Sequence, residues 1–171
     1  MSWVRGHIEP CWTVTEVSNL NYFTEPFNDS ATADHWNQLY GQSFGVGQQA
    51  DYRSRQLSNI NEIVGRVTDQ IGPLNCVGTS FYRMMPGDIL PHHRDSYSSY
   101  CKYHAVRPEQ VIRVIVFINP WHPGFLFEID GEPIVKYQWG DFVAWKYNTE
   151  HMAGNLGCTP RYTLQITGVR E

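Results

Sequence analysis

The sequence predicts a mainly β fold, a jelly roll (double-stranded β-helix) with one or two N-terminal helices packed on an outer face. Three observations predict it. Short strand-like segments follow one another from residue 77 onward, at 77–85, 89–95, 111–118, 124–129, 133–137, 141–146, 150–155 and 161–169. The joints between them carry turn chemistry: Pro86-Gly87-Asp88, Asn119-Pro120, Asp130-Gly131, Trp139-Gly140-Asp141, Gly154 to Gly157 and Thr159-Pro160. Helical periodicity is confined to the first part of the chain. Eight short strands with tight turns suit two stacked sheets better than a parallel sheet alternating with helices.

Taken in order, residues 1–30 read as irregular, broken by Pro10 and Pro26, with an edge strand over Trp12–Val17. Residues 33–41 read as a short helix ending at Gly41. Residues 58–71 read as a stronger one. Ser58 is placed to cap it, and Ile60, Ile63, Val64, Val67 and Ile71 recur at spacings of three and four, so they form one apolar stripe. Gly72-Pro73 ends that helix. In the final segment Arg161, Thr163, Gln165 and Thr167 fall on one face, and Tyr162, Leu164 and Ile166 on the other. A polar face on a core strand needs partners, and a buried anionic ligand would supply them.

A length of 171 residues suits one domain, 1–171, with a helical or irregular part over 1–76 and a jelly-roll core over 77–171. The net charge of −4 gives no electrostatic footprint for nucleic acid, so a nucleic-acid partner is not expected. No apolar run reaches membrane-spanning length, so no membrane partner is expected either. Cys11, Cys76, Cys101 and Cys158 form no CxxC pair, and no secretory segment opens the chain. The expectation is a cytoplasmic protein whose cysteines are buried free thiols. Oligomeric state is left open.

The chemistry concentrates in four residues. His93 and Asp95 flank Arg94 on a predicted strand, so the pleat puts both side chains on one face, and an imidazole beside a carboxylate offers a divalent metal two ligands. A lone HxD is a common accident. His151 lies 56 residues after Asp95, at the start of another predicted strand, and can supply a third ligand. Arg161 follows 10 residues later, on the polar face of the last strand.

This order of residues resembles the Fe(II)/2-oxoglutarate-dependent oxygenase superfamily. The matching stretches are PHHRD (91–95), WGDFVAW (139–145), EHMAGNLG (150–157) and RYTLQITG (161–168), and the resemblance covers about residues 77–170. The first motif is similar to prolyl-hydroxylase-like members. The HxxxNxG…R order is similar to aspartyl/asparaginyl-hydroxylase-like members, many of which lack the Asp ligand present here. The resemblance implies that His93, Asp95 and His151 hold Fe(II), with 2-oxoglutarate as co-substrate and O₂ as oxidant. It implies that Arg161 binds the distal carboxylate of 2-oxoglutarate through its planar fork, with Thr163 adding a hydroxyl. Hydroxylation of a C–H bond would then release succinate and CO₂. A cupin-like metal-binding jelly roll that does not use 2-oxoglutarate is the alternative. The absence of an HxH cluster counts against it.

Further residues are candidates. Arg113 interrupts the apolar run VIRVIVFI, so its charge is expected to be paired or to face the cavity as a co-substrate contact. Tyr82 is a candidate co-substrate hydrogen-bond donor. Tyr100, His122 and Trp145 are candidate substrate contacts, with 96–110 expected to form a lid beside the metal ligands. The substrate expected is a peptide or a small molecule.

Overall fold

The polar-and-apolar alternation of residues 161–169 explains the architecture. In the computed structural model, which describes residues 3–27, 30–40, 45–51 and 57–170, these residues form β11 (Arg161–Val169). Its neighbours are β4 (Asn75–Met84) and β6 (Val111–Phe117), both antiparallel. Beyond β6 come β9 (Asp141–Lys146) and β1 (Trp3–His7); beyond β4 comes β3 (Gly45–Asp51), with β2 (Phe23–Pro26) paired to it. The facing sheet runs β5 (Asp88–His93), β10 (His151–Asn155), β7 (Phe125–Ile129) and β8 (Glu132–Pro133). β3 joins the two layers, because its first residues pair in parallel with β5 while its last pair with β4.

Each face of the first sheet has its own core. Tyr162, Leu164 and Ile166 of β11 and Ile112, Val114 and Val116 of β6 pack outward against Val17 of α1 (Val14–Ser18) and Ile60, Ile63 and Val67 of α3 (Ile60–Ile71). Ile115 and Phe117 point the other way and pack between the sheets with Phe125, Phe127, Ile129, Val143 and Trp145. With helices on one side and a second sheet on the other, every residue of β6 is buried, which is why it reads as an unbroken apolar run. Two N-terminal helices thus cover an outer face, α3 where the sequence placed a helix and α1 where it placed a strand. A third, α2 (Ser30–Tyr40), buries none of its residues.

Several local expectations give way to competing chemistry. Trp12–Val17 is not an edge strand. Thr13 and Glu16 form a reciprocal capping box, Glu16 N–H donating to Thr13 Oγ1 and Thr13 N–H to Glu16 Oε2, and this starts α1. Ser58 does not cap α3. Asn59 occupies that position, and its side chain donates instead to the Cys11 carbonyl. Residues 134–137 leave strand geometry after Pro133, with Lys136 in the left-handed region (φ 55°). The turn still drives Tyr137 inward, where it stacks on Phe117 at 3.7 Å. The Asp130-Gly131 hairpin forms as predicted, both residues having positive φ, 49° and 78°. The four cysteines are free, but Cys76 and Cys158 are exposed, so burial holds only in part for the others. Among the described residues no helix is long and apolar enough to cross a membrane.

The packing of α3 yields a test. Ile63 is fully buried between the helix and the first sheet. Ile63→Ala is expected to lower stability by about 2–5 kcal/mol, measured as a shift in the urea unfolding midpoint at unchanged m-value.

Candidate metal centre and anion pocket

The last residue of β5 and the first residue of β10 sit side by side. His93 and His151 are register partners across the antiparallel pair, and their rings lie 4.3 Å apart. Each imidazole is oriented by a backbone carbonyl two residues earlier. His93 Nδ1 lies 2.7 Å from Pro91 O, and His151 Nδ1 lies 3.1 Å from Thr149 O. A proton on Nδ1 satisfies those contacts and leaves both Nε2 lone pairs free, the tautomer a metal ligand requires.

Asp95 reaches the same point by another route than the sequence suggests. β5 ends at His93, so Asp95 is not held by the pleat. Arg113 holds it, with Nη2 3.1 Å from Asp95 Oδ2. The carboxylate then lies 3.8 Å from His93 Nε2 and 3.9 Å from His151 Nε2. One ligand atom from each of the three residues falls within 4.8 Å of the others, the spacing of a site that can hold a metal ion. Burial would raise the Asp95 carboxyl, but the Arg113 charge and the two imidazoles outweigh it and keep the group below its ordinary range, ionised and ready to ligate. Burial, reinforced by the neighbouring His93, pushes His151 down to about 4, so it stays neutral at physiological pH.

These groups open onto a cavity of about 270 Å³ between the sheets. Arg161 lies on its wall, 3% exposed. Its Nε donates to Tyr137 Oη at 3.2 Å and its Nη1 approaches Met84 Sδ at 3.4 Å, while Nη2 is buried with no hydrogen-bond partner. No carboxylate pairs with it among the described residues. The rings of Phe117 and Phe127 lie 5.8 and 5.6 Å from its guanidinium carbon, which stiffens the fork without neutralising it. Thr163 lines the same wall, and its register partner Tyr82 stands beside it. Gln165 Nε2 lies 3.4 Å from Tyr82 Oη, and burial pushes the Tyr82 phenol up to about 12, which keeps it a neutral donor.

The structure thus brings His93, Asp95, His151, Arg113, Arg161, Thr163, Tyr82 and Trp145 to one cavity. It does not bring Tyr100 and His122 there. Tyr100 Oη donates to Cys76 O at 2.7 Å and its ring lies against His104, within a segment folded as α4 (Ser98–His104) and a 3₁₀ turn at Pro108–Gln110. His122 is exposed at the opposite end of β10, packed edge-on to Phe125. Arg113 serves Asp95 and donates to Thr167 Oγ1 at 2.8 Å. The tyrosine of segment 96–110 that belongs to the site is Tyr97, left-handed at φ 53°, its buried ring 4.9 Å under the Arg113 guanidinium. Asn155, part of the HxxxNxG stretch, ties the turn after β10 to its surroundings. Its amide donates to Met84 O and Thr159 O, and its oxygen accepts from Gly157 N–H. Sequence reasoning passed over Glu25, Phe27 and Gln48, which β2, β3 and the chain between them add to the wall. Tyr97 had a legible signal, lying two residues beyond Asp95.

No family model matches the sequence, and no curated protein matches it. Solved structures do. An oxidoreductase of the 2OG-Fe(II) oxygenase family from Burkholderia pseudomallei superposes with a TM-score of 0.60 at 14% identity, over 99% of this chain and 86% of the other. A prolyl-4-hydroxylase from Pseudomonas putida gives 0.55 at 13% identity, over 99% and 93%. A predicted oxalate decarboxylase from Thermotoga maritima matches 54% of this chain and 66% of its own length, at 14% identity and a TM-score of 0.40. At these identities the first two likenesses show a shared fold.

The triad makes two measurable demands. Alanine at His93, Asp95 or His151 is expected to weaken Mn(II) binding, followed by calorimetric titration, beyond the roughly 10–100-fold loss typical of a group that only orients a ligand. The metal-free protein is expected to lose stability as pH falls from about 6.5 toward about 4, because in that window unfolded His151 takes up a proton that folded His151 refuses. Denaturant midpoints across that range should fall less steeply in His151→Gln.

Proposed function

We propose that this protein is a non-haem Fe(II)- and 2-oxoglutarate-dependent oxygenase that hydroxylates a C–H bond of a peptidyl residue or a small molecule. The single observation that carries the reading is Arg161, a guanidinium 3% exposed, with one nitrogen unpartnered, on the wall of the cavity into which the His-Asp-His cluster opens. A buried cation without a protein anion is costly, and a dicarboxylate bound between it and a metal removes the cost. The donor set fits Fe(II): two imidazoles and one carboxylate are ligand types that non-haem iron takes, with room left for exogenous ligands. When bound, the iron supplies oxidation by O₂ coupled to decarboxylation of 2-oxoglutarate, with succinate and CO₂ as co-products.

The chain's own residues do the placing. His93 and His151 present Nε2 because their Nδ1 atoms are tied to carbonyls. Arg113 occupies Asp95 Oδ2 and so favours ligation through Oδ1. Arg161 takes the distal carboxylate of 2-oxoglutarate on its open edge, with the Thr163 hydroxyl and the neutral Tyr82 phenol as further donors along the same wall. Phe127, Ile115 and Trp145 exclude water around these polar groups, which strengthens each electrostatic contact.

The test is 2-oxoglutarate-dependent release of succinate from Fe(II)-loaded protein. Arg161→Ala is expected to raise the KM for 2-oxoglutarate on the order of 100-fold, from two lost charge-assisted hydrogen bonds, with Mn(II) affinity retained. Arg161→Lys should recover part of that loss, since a point charge cannot replace the fork. An alanine variant with the wild-type KM would remove the basis of the assignment.

A further inference from the structure

Tyr97, beside the metal cluster, combines a strained backbone with a buried hydroxyl that has nothing to bond. It lies two residues beyond Asp95 and starts α4, its carbonyl accepting from Cys101 N–H at 2.8 Å. Its φ of 53° is in the left-handed region, which a residue with a Cβ adopts only under strain. Glycine or asparagine would make the same turn with less strain. What the turn achieves with a tyrosine is to carry the side chain inward, leaving the residue 7% exposed.

The Tyr97 ring lies 4.9 Å from the Arg113 guanidinium carbon and 6.4 Å from the Tyr147 ring. Its Oη is buried with no hydrogen-bond partner, and so is Arg113 Nε in the same cluster. Packing alone would be served as well by a phenylalanine, without the desolvated hydroxyl. Burial raises the Asp95 carboxyl, and Arg113, the two imidazoles and the Tyr97 phenol lower it, which places the phenol within reach of that carboxylate.

Metal binding would supply what the phenol lacks. In the metal-free protein the Asp95 carboxylate is spread over three neighbours. Oδ1 lies 3.8 Å from His93 Nε2, and Oδ2 lies 3.9 Å from His151 Nε2 and 3.1 Å from Arg113 Nη2. Ligation through Oδ1 leaves Oδ2 to Arg113. A carboxylate oxygen can accept two hydrogen bonds, so Oδ2 then keeps one lone pair buried without a donor. The phenol is a buried donor without an acceptor.

We infer that Tyr97 is a positioning residue of the metal centre: its hydroxyl donates to Asp95 Oδ2 once metal binds and, with Arg113, holds the carboxylate to a single ligating oxygen. This rests on the His-Asp-His cluster being the metal site that the oxygenase reading requires. A carboxylate kept from ligating through both oxygens leaves one more position for exogenous ligands.

Tyr97→Phe tests this in the full chain, because it keeps the ring against Arg113 and removes only the hydroxyl. Without metal, its urea midpoint is expected to equal or exceed that of the wild type, since the hydroxyl has no bond to lose. Its Mn(II) affinity, followed by calorimetric titration, is expected to fall about 10-fold, as for other groups that orient a ligand. The ligand-field absorption of the Co(II)-loaded protein should change with the altered carboxylate. Tyr100→Phe is the control from the same segment. It loses the bond to Cys76 O and is expected to keep the wild-type Mn(II) affinity and Co(II) spectrum. Lower metal affinity at undiminished metal-free stability is a split that a residue serving only to pack does not produce. Unchanged Mn(II) affinity or an unchanged Co(II) spectrum in Tyr97→Phe, a metal-free midpoint below the wild type, or an equal loss of affinity in Tyr100→Phe would overturn the inference and leave the metal cluster standing. Failure of the wild-type chain to bind Mn(II) would overturn both.

Discussion

The charge of Arg161 inside the sandwich is the constraint around which the rest of the structure is arranged. A guanidinium on a core strand has to be desolvated, and β11 does this by alternation: Tyr162, Leu164 and Ile166 bind the strand to the helices, and the residues between them turn a polar face inward. The aromatic floor of Phe117, Phe127 and Tyr137 fills the space around the charge without supplying an anion. Such an arrangement is stable against collapse because it is over-determined. β11 is paired on both sides, and the strands flanking it are themselves paired on their far sides.

The second charge in the cavity is handled in the opposite way. Arg113 is paired within the protein, and its partner is the metal-ligand candidate Asp95, which lies past the end of its strand. The ion pair therefore does the positioning that strand geometry does for His93 and His151. Tyr97 closes over Arg113 from the other side. One guanidinium positions Asp95 within the His-Asp-His cluster, and the other lines the cavity with one buried nitrogen that has no hydrogen-bond partner. The difference follows from their depth along the barrel. Arg113 lies opposite Thr167, toward the end where β5 and α4 meet, and Arg161 lies six residues back along β11.

Much of this is legible in the residues. The strong alternation of 161–169 and the apolar run of 111–118 mark the central strands nearly to the residue, since tertiary packing reinforces local preference there. The helix over 60–71 is legible from its stripe. β1, β2 and β3 are not, because they are edge and bridging strands, interrupted by glycine in β1 and β3 and by Pro26 in β2, whose pairing depends on neighbours far away in the chain. The T-x-x-E start of α1 is legible but is masked by the β-branched residues around it. For the site, His93, His151 and Arg161 are singled out by their order and spacing together with the family resemblance these carry, and the structure places all three on one cavity. Glu25, Gln48 and Phe27 are not, because only the β2–β3 excursion brings them to the wall. Tyr100 is the natural choice from sequence in the loop after Asp95, but the left-handed turn at Tyr97 directs Tyr97 inward and leaves Tyr100 against Cys76.

The central claim is that a metal at His93, Asp95 and His151 and an anion at Arg161 are bridged by one molecule. Anaerobic absorption spectroscopy of the Fe(II) protein addresses it directly, because chelation of Fe(II) by a 2-oxo acid produces a visible charge-transfer band. The band is expected to form only with both Fe(II) and 2-oxoglutarate present, and in Arg161→Ala to need far more 2-oxoglutarate to saturate. A band absent at saturating 2-oxoglutarate, or one formed with equal affinity in Arg161→Ala, would contradict the claim.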